Sequence, residues 1–172
     1  MAGMGSYSRS TRTRLAKLGS TGNGGVCRML DQQLAELLGA PARAAELIAG
    51  GEFNFGHADD DYRMPDRGLH RPETAGDSCA TAALVVEIVS PGDETWDKLR
   101  FYGAHDVEEV LIVDPQRRSA HWLALEGSEH QPIEHSNVID MSRTELAERI
   151  DWPPNPPYDR ERSPRGSGGR SA

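Results

Sequence analysis

Residues 26–38 read VCRMLDQQLAELL, with Val26, Met29, Leu30, Leu34, Leu37 and Leu38 at helical spacing. That pattern predicts an amphipathic helix, and Gly39 and Pro41 predict its end. Residues 44–55 are ambiguous, because their alanines favour helix while EFNFG alternates like a strand. Asp59–Asp61 predict a solvated hairpin tip, Tyr62, Met64 and Leu69 short extended pieces around Pro65, and 73–81 a loop. The strongest strand is 84–90, LVVEIVS, whose nearly unbroken apolarity predicts burial on both faces. Pro91 and Gly92 end it, and Asp93 is placed to cap a helix running to about Gly103. Residues 110–113 predict a second buried strand, ended by Asp114 and Pro115. A third, at 120–125, follows the QRRS turn, and a short fourth lies at 132–135. The last helix, 142–150, opens with Ser142 and Glu145 at capping-box spacing. This order predicts an α/β domain with a small mixed central sheet flanked by helices.

Composition and charge add tails to that domain. The chain has 172 residues, 37% hydrophobic and 27% charged, enough for one real core. Residues 1–25 form a Ser/Gly/Thr/Arg-rich arm, 26–152 the folded domain, and 153–172 a Pro/Arg/Gly-rich tail. Both flanks are expected to be disordered. No run of 18 apolar residues is present to span a membrane, and the N-terminus lacks the apolar segment of a secretory signal. Cys27 and Cys79 stand far apart with no CxxC pair, so a reducing cytoplasm is the expected location and a zinc finger is not expected.

The formal net charge is −8. Arg9, Arg12, Arg14 and Lys17 make the arm +4, four arginines against Asp151, Asp159 and Glu161 make 151–172 +1, and 26–150 therefore carries −13. That acidic body is not the footprint of a protein that coats nucleic acid. An enzyme acting on nucleic acid remains compatible with it where bound cations offset the field.

The candidate chemistry begins at Glu87, a carboxylate within an apolar strand, where it is costly unless paired. Glu94, Lys98 and Tyr102 follow at i, i+4 and i+8, one stripe of a regular helix. The Ser-Pro-Gly turn brings Lys98 within reach of the strand end, with Trp96 and Leu99 expected to anchor the helix to the sheet. Asp66, in Met64-Pro65-Asp66, is a second acid. Two carboxylates supply hard oxygen ligands for Mg2+ or Mn2+, and a nearby ammonium stabilises an oxyanion. Together they suit metal-assisted phosphodiester hydrolysis.

The blocks YRMPDRGLHRP, TAALVVEIVSPGDETWDKLRFYGAHDVEEVLIVDP and HWLAL resemble the Uma-two family, regarded as endonucleases of the PD-(D/E)XK restriction-endonuclease-like superfamily. The resemblance spans roughly residues 50–152. It implies Asp66 and Glu87 as metal ligands, the Ile88 backbone carbonyl as a further ligand, and Lys98 as the catalytic ammonium. The superfamily's usual strand lysine falls here on Val89; Lys98 matches the family form in which it has moved to the following helix. Glu94 and Tyr102 match family positions and are expected to orient Lys98. The resemblance also implies a DNA substrate and a homodimer. The family's opening strand and hairpin are replaced here by the basic arm, and Asp31 and Glu36 are the first helix's candidates for a supporting acid.

Other motifs carry less. The six histidines contain no HExxH or HxxxH pair; His130 and His135, five apart in a loop or strand, are weak metal candidates, and His70, close to the PD motif, is expected to be exposed, with contact to a substrate phosphate as the alternative. STGNGG lacks the Lys-Ser/Thr ending of a phosphate loop and reads as linker. No nucleophile elbow is present. From a different class, a catalytically degenerate nuclease fold serving as a binding module accounts for the same residues, and the acidic body favours it.

Overall fold

The computed structural model describes residues 23–56, 62–75, 78–90, 92 and 94–154. The basic arm up to residue 22, the Asp59–Asp61 tip, the Asp93 cap and the tail from 155 lie outside them. Helix α1 spans Asn23–Ala44. It is followed by β1 (Ile48–Gly50), β2 (Asn54–Phe55), β3 (Arg67–His70), β4 (Ser78–Cys79) and β5 (Leu84–Ile88). A 3-10 turn (Thr95–Lys98) leads into α2 (Leu99–Ala104), then β6 (Glu109–Asp114), β7 (Ser119–Glu126), β8 (Glu129–Ile133) and α3 (Arg143–Arg149).

Among the described residues, six strands form one sheet in the order β1-β3-β5-β6-β7-β8. Only β5 and β6 run parallel; every other pairing in it is antiparallel. The parallel pair needs a crossover, which the 3-10 turn and α2 provide. A separate parallel pair joins β2 to β4. This is an α/β fold with a small mixed sheet flanked by helices, as the order of elements predicts.

The sheet has a core on each face. Leu30, Leu34, Leu38 and Ala42 of α1 and Leu146 of α3 pack against Val86, Ile88, Leu111, Val113 and Trp122. On the other face, Phe101 and Tyr102 of α2 join Phe55, Val85, Val110, Ile112 and Leu123. Strand alternation divides β5 accordingly: Val86 and Ile88 face α1, while Val85 and Glu87 face α2. All five β5 residues are buried, as their pattern predicts.

Two expectations about α1 are corrected. It begins at Asn23, so Gly24 and Gly25 are helical rather than linker, and it runs through Gly39 and Pro41. Proline removes one helical hydrogen bond, but Leu34, Leu38 and Ala42 stay buried along one stripe and hold the helix on course. The stop comes later, where the Leu47 amide donates to the Ala42 carbonyl and the Glu46 amide to Arg43. Glu46 has φ 58°, in the place usually taken by glycine in this Schellman closure. The final helix keeps its expected cap, Ser142 accepting from the Glu145 amide at 3.1 Å. Among the described residues, no helix is long and apolar enough to cross a membrane.

Candidate active site

Glu87 is 0% exposed. Lys98 Nζ donates to its Oε2 at 2.9 Å, and Tyr102 Oη donates to its Oε1 at 2.5 Å. These two donors stand at i and i+4, and both descend from the crossover onto the same strand. The buried carboxylate therefore has one donor on each oxygen, which meets the requirement for placing a charge in an apolar strand.

Asp66 reaches the site from β3. It directly precedes β3, whose Arg67 pairs with Val86 of β5, and its negative charge lies close enough to act on Glu87. The Asp66 amide donates to the Val86 carbonyl at 3.1 Å. Its Oδ2 accepts from the Ile88 amide at 2.8 Å. Two carboxylates and an ammonium thus converge at the carboxyl end of β5.

Burial pushes the Glu87 carboxyl above its ordinary range; Lys98 pulls it back down and the negative charge of Asp66 adds to the rise. Tyr102 is pushed up by burial and by the adjoining Glu87 charge, so its hydroxyl is a proton donor to Glu87 and not a base. Crowding negative charge in a buried place is what a cation site requires. Each Glu87 oxygen spends one lone pair on its donor and keeps another. Among the described residues, no three His, Cys, Asp or Glu side chains converge as a metal cage. A pair of carboxylates, completed by water and substrate phosphate, is the donor set that suits Mg2+ or Mn2+, and the residues present fit such an ion.

The structure leaves other expected participants outside. Glu94 is exposed, and its backbone carbonyl accepts from the Asp97 amide. The i, i+4, i+8 stripe assumes an α-helix, whereas the first turn here is 3-10, which advances about 120° per residue and takes Glu94 out of phase. Trp96 does not bury itself against the sheet; it is 45% exposed and rests edge-on against His121. Leu99 does pack against the second core. Asp31 is held by Arg67 at 2.8 Å, and Glu36 accepts from Gln32. Both belong to α1, which covers the opposite face from Glu87.

The histidines are placed by the fold. His70, expected to be exposed, is 4% exposed and stands edge-on to Phe53 at 4.7 Å. His130 Nε2 bonds to the Val107 carbonyl, and His135 Nδ1 to Ser136.

Sequence reasoning missed a second buried carboxylate. Glu109 accepts from Trp122 Nε1 at 2.7 Å, Ser136 Oγ at 2.6 Å and the Asn137 amide at 2.7 Å. Standing at the head of a strand, it reads as a solvated boundary. Its donors are an indole, a hydroxyl and an amide, and they tie segment 135–141 to β6. With three donors that join β6, β7 and the 135–141 segment, this carboxylate holds structure.

The family model Uma2, described as "Putative restriction endonuclease", matches residues 17–150. This chain belongs to that family. The match starts well before residue 50 and takes in α1, so the first helix is part of the family pattern. Among solved structures, the chain is similar to the crystal structure of "a putative nuclease belonging to DUF820" from Anabaena variabilis. The two share 10% identity at a TM-score of 0.57, over 71% of this chain and 80% of that one. At that identity the likeness shows the fold. A weaker likeness, TM-score 0.43 at 17% identity, is to DrdV in its DNA complex; it covers 82% of this chain but 12% of that one and bears no weight here. No curated protein matches the sequence.

Proposed function

We propose that this Uma2 protein is a divalent-metal-dependent endonuclease that hydrolyses phosphodiester bonds in DNA. The observation that carries this reading is the fully buried Glu87, bonded by Lys98 and Tyr102, with Asp66 close by and held to the Ile88 amide. Asp66, Glu87 and the Ile88 carbonyl would hold Mg2+ or Mn2+, which when bound supplies Lewis acidity and a water of lowered pKa.

This chain's residues do the rest. Glu87 holds its negative charge on a rigid central strand, where geometry is kept better than on a loop, and the Ile88 amide fixes Asp66 next to that strand. Lys98, its side chain 18% exposed, brings a positive charge to the mouth of the site, where it stabilises charge developing on the phosphate oxygens. Tyr102 fixes the plane of the Glu87 carboxylate. Two copies of the chain would supply one such centre for each strand of a duplex.

The test is cleavage of supercoiled plasmid in Mg2+ or Mn2+ against the same reaction in EDTA. Nicking that needs the metal supports the reading. No cleavage in any metal by folded protein would favour the catalytically degenerate binding or interaction module, which the acidic body also favours.

A further inference from the structure

The sheet aligns a second group beside the proposed catalytic centre. Glu87 pairs with Ile112, and Ile112 pairs with His121. These three residues form one row across β5, β6 and β7, on the face that α2 covers. The 3-10 turn crosses this row, with Lys98 reaching Glu87 at one end and Trp96 meeting His121 at the other. The Trp96 and His121 rings lie 5.2 Å apart at 74°. His121 Nε2 also shares a hydrogen bond with Ser119 Oγ at 3.2 Å, so the imidazole is held from below.

An indole two residues before Lys98, braced at one edge and still 45% exposed, is costly to leave in water. The other two tryptophans of the chain do not share this exposure: Trp122 is 1% exposed and Trp152 packs partly against the core. The body carries −13 over residues 26–150 and has little surplus cation with which to grip a phosphate backbone. Stacking of a base on an aromatic ring supplies affinity without a cation at that point.

We propose that Trp96, braced by His121, is a stacking platform for a nucleobase of the substrate strand, one turn from the scissile phosphate. The proposal rests on the nuclease reading for the identity of the strand. It assigns affinity and positioning to Trp96, and orientation of the indole to His121 and Ser119.

The test is binding of a fluorescein-labelled single-stranded DNA oligonucleotide in Ca2+ at low salt. Anisotropy and tryptophan emission are read together, and a gel of the same samples checks that the strand is intact. Wild type should show quenched emission on binding. Trp96→Ala should raise Kd by about five- to 150-fold, the range of one base–aromatic stack. Trp96→Phe, which keeps a ring, should recover most of the affinity while losing the quench. Unchanged affinity in Trp96→Ala, or a quench that survives in Trp96→Phe, would overturn the platform and leave the nuclease reading standing. Wild type that does not bind would also overturn it, and plasmid cleavage would then judge the nuclease reading separately.

Discussion

Glu87 is the residue on which the site depends, and its neighbours explain how the fold tolerates it. The Tyr102 hydroxyl is buried with it, so Tyr102→Phe removes a donor that water cannot replace. We expect a loss of about 1.5–3 kcal/mol, the range for hydrogen bonds to charged groups, read from the urea midpoint at constant m. A loss near zero would mean that Lys98 alone holds the carboxylate. Much of this was legible beforehand. A glutamate in LVVEIVS requires a partner, and Lys98 and Tyr102 stand four residues apart on the element that follows. Glu94 was misplaced because a sequence pattern does not distinguish an α-turn from a 3-10 turn. Glu109 was missed because its partners Trp122, Ser136 and Asn137 lie 13 to 28 residues away in the chain.

At the scale of elements, the crossover that carries Lys98 and Tyr102 is short and tightly seated. A Cβ built on Gly103 would stand 2.8 Å from the Ser128 backbone carbonyl in the β7–β8 turn. Backbone cannot swing aside as a side-chain tip can, and overpacking costs about 1–3 kcal/mol. Alanine's better helix propensity returns at most about 1 kcal/mol. Gly103→Ala should therefore lower stability by up to about 2 kcal/mol in urea titration, whereas a gain would show that α2 has room to move. The longer elements were readable: β5, β6, β7 and α3 appear where their apolar runs and cap predict them. Of the short strands, β2 and β3 fall where EFNFG alternates and where Leu69 suggests an extended piece, while β1 and β4, of three and two residues, carry too little periodicity to identify. The end of α1 was misread for a different reason, since a buried stripe and a later closure at Glu46 override a glycine and a proline.

For the whole molecule, sheet order was the least legible property, because β3 beside β5 and β5 beside β6 are pairings between distant segments. That packing also sets a response to pH. Burial holds the His70 imidazole below its ordinary value of 6.5, with a backbone hydrogen bond at Thr81 opposing more weakly, and burial lowers His130 as well. Below about pH 6.5 the unfolded chain takes up protons that the folded chain refuses. The stability these histidines contribute is therefore full above that pH and is lost as pH falls through their folded pKa values. Urea midpoints should decline from pH 7 to pH 5, and His70→Gln should flatten part of the decline; an unchanged slope would place the acid sensitivity elsewhere.

The central claim is that Asp66, Glu87 and Lys98 form a hydrolytic centre on this fold. Its most direct measurement is plasmid nicking in Mg2+ and Mn2+ by wild type, Glu87→Ala and Lys98→Ala, each checked for folding. Metal-dependent nicking by wild type, reduced at least about 100-fold in both variants, is the result this account predicts. No nicking by wild type, or equal nicking by all three, would contradict it.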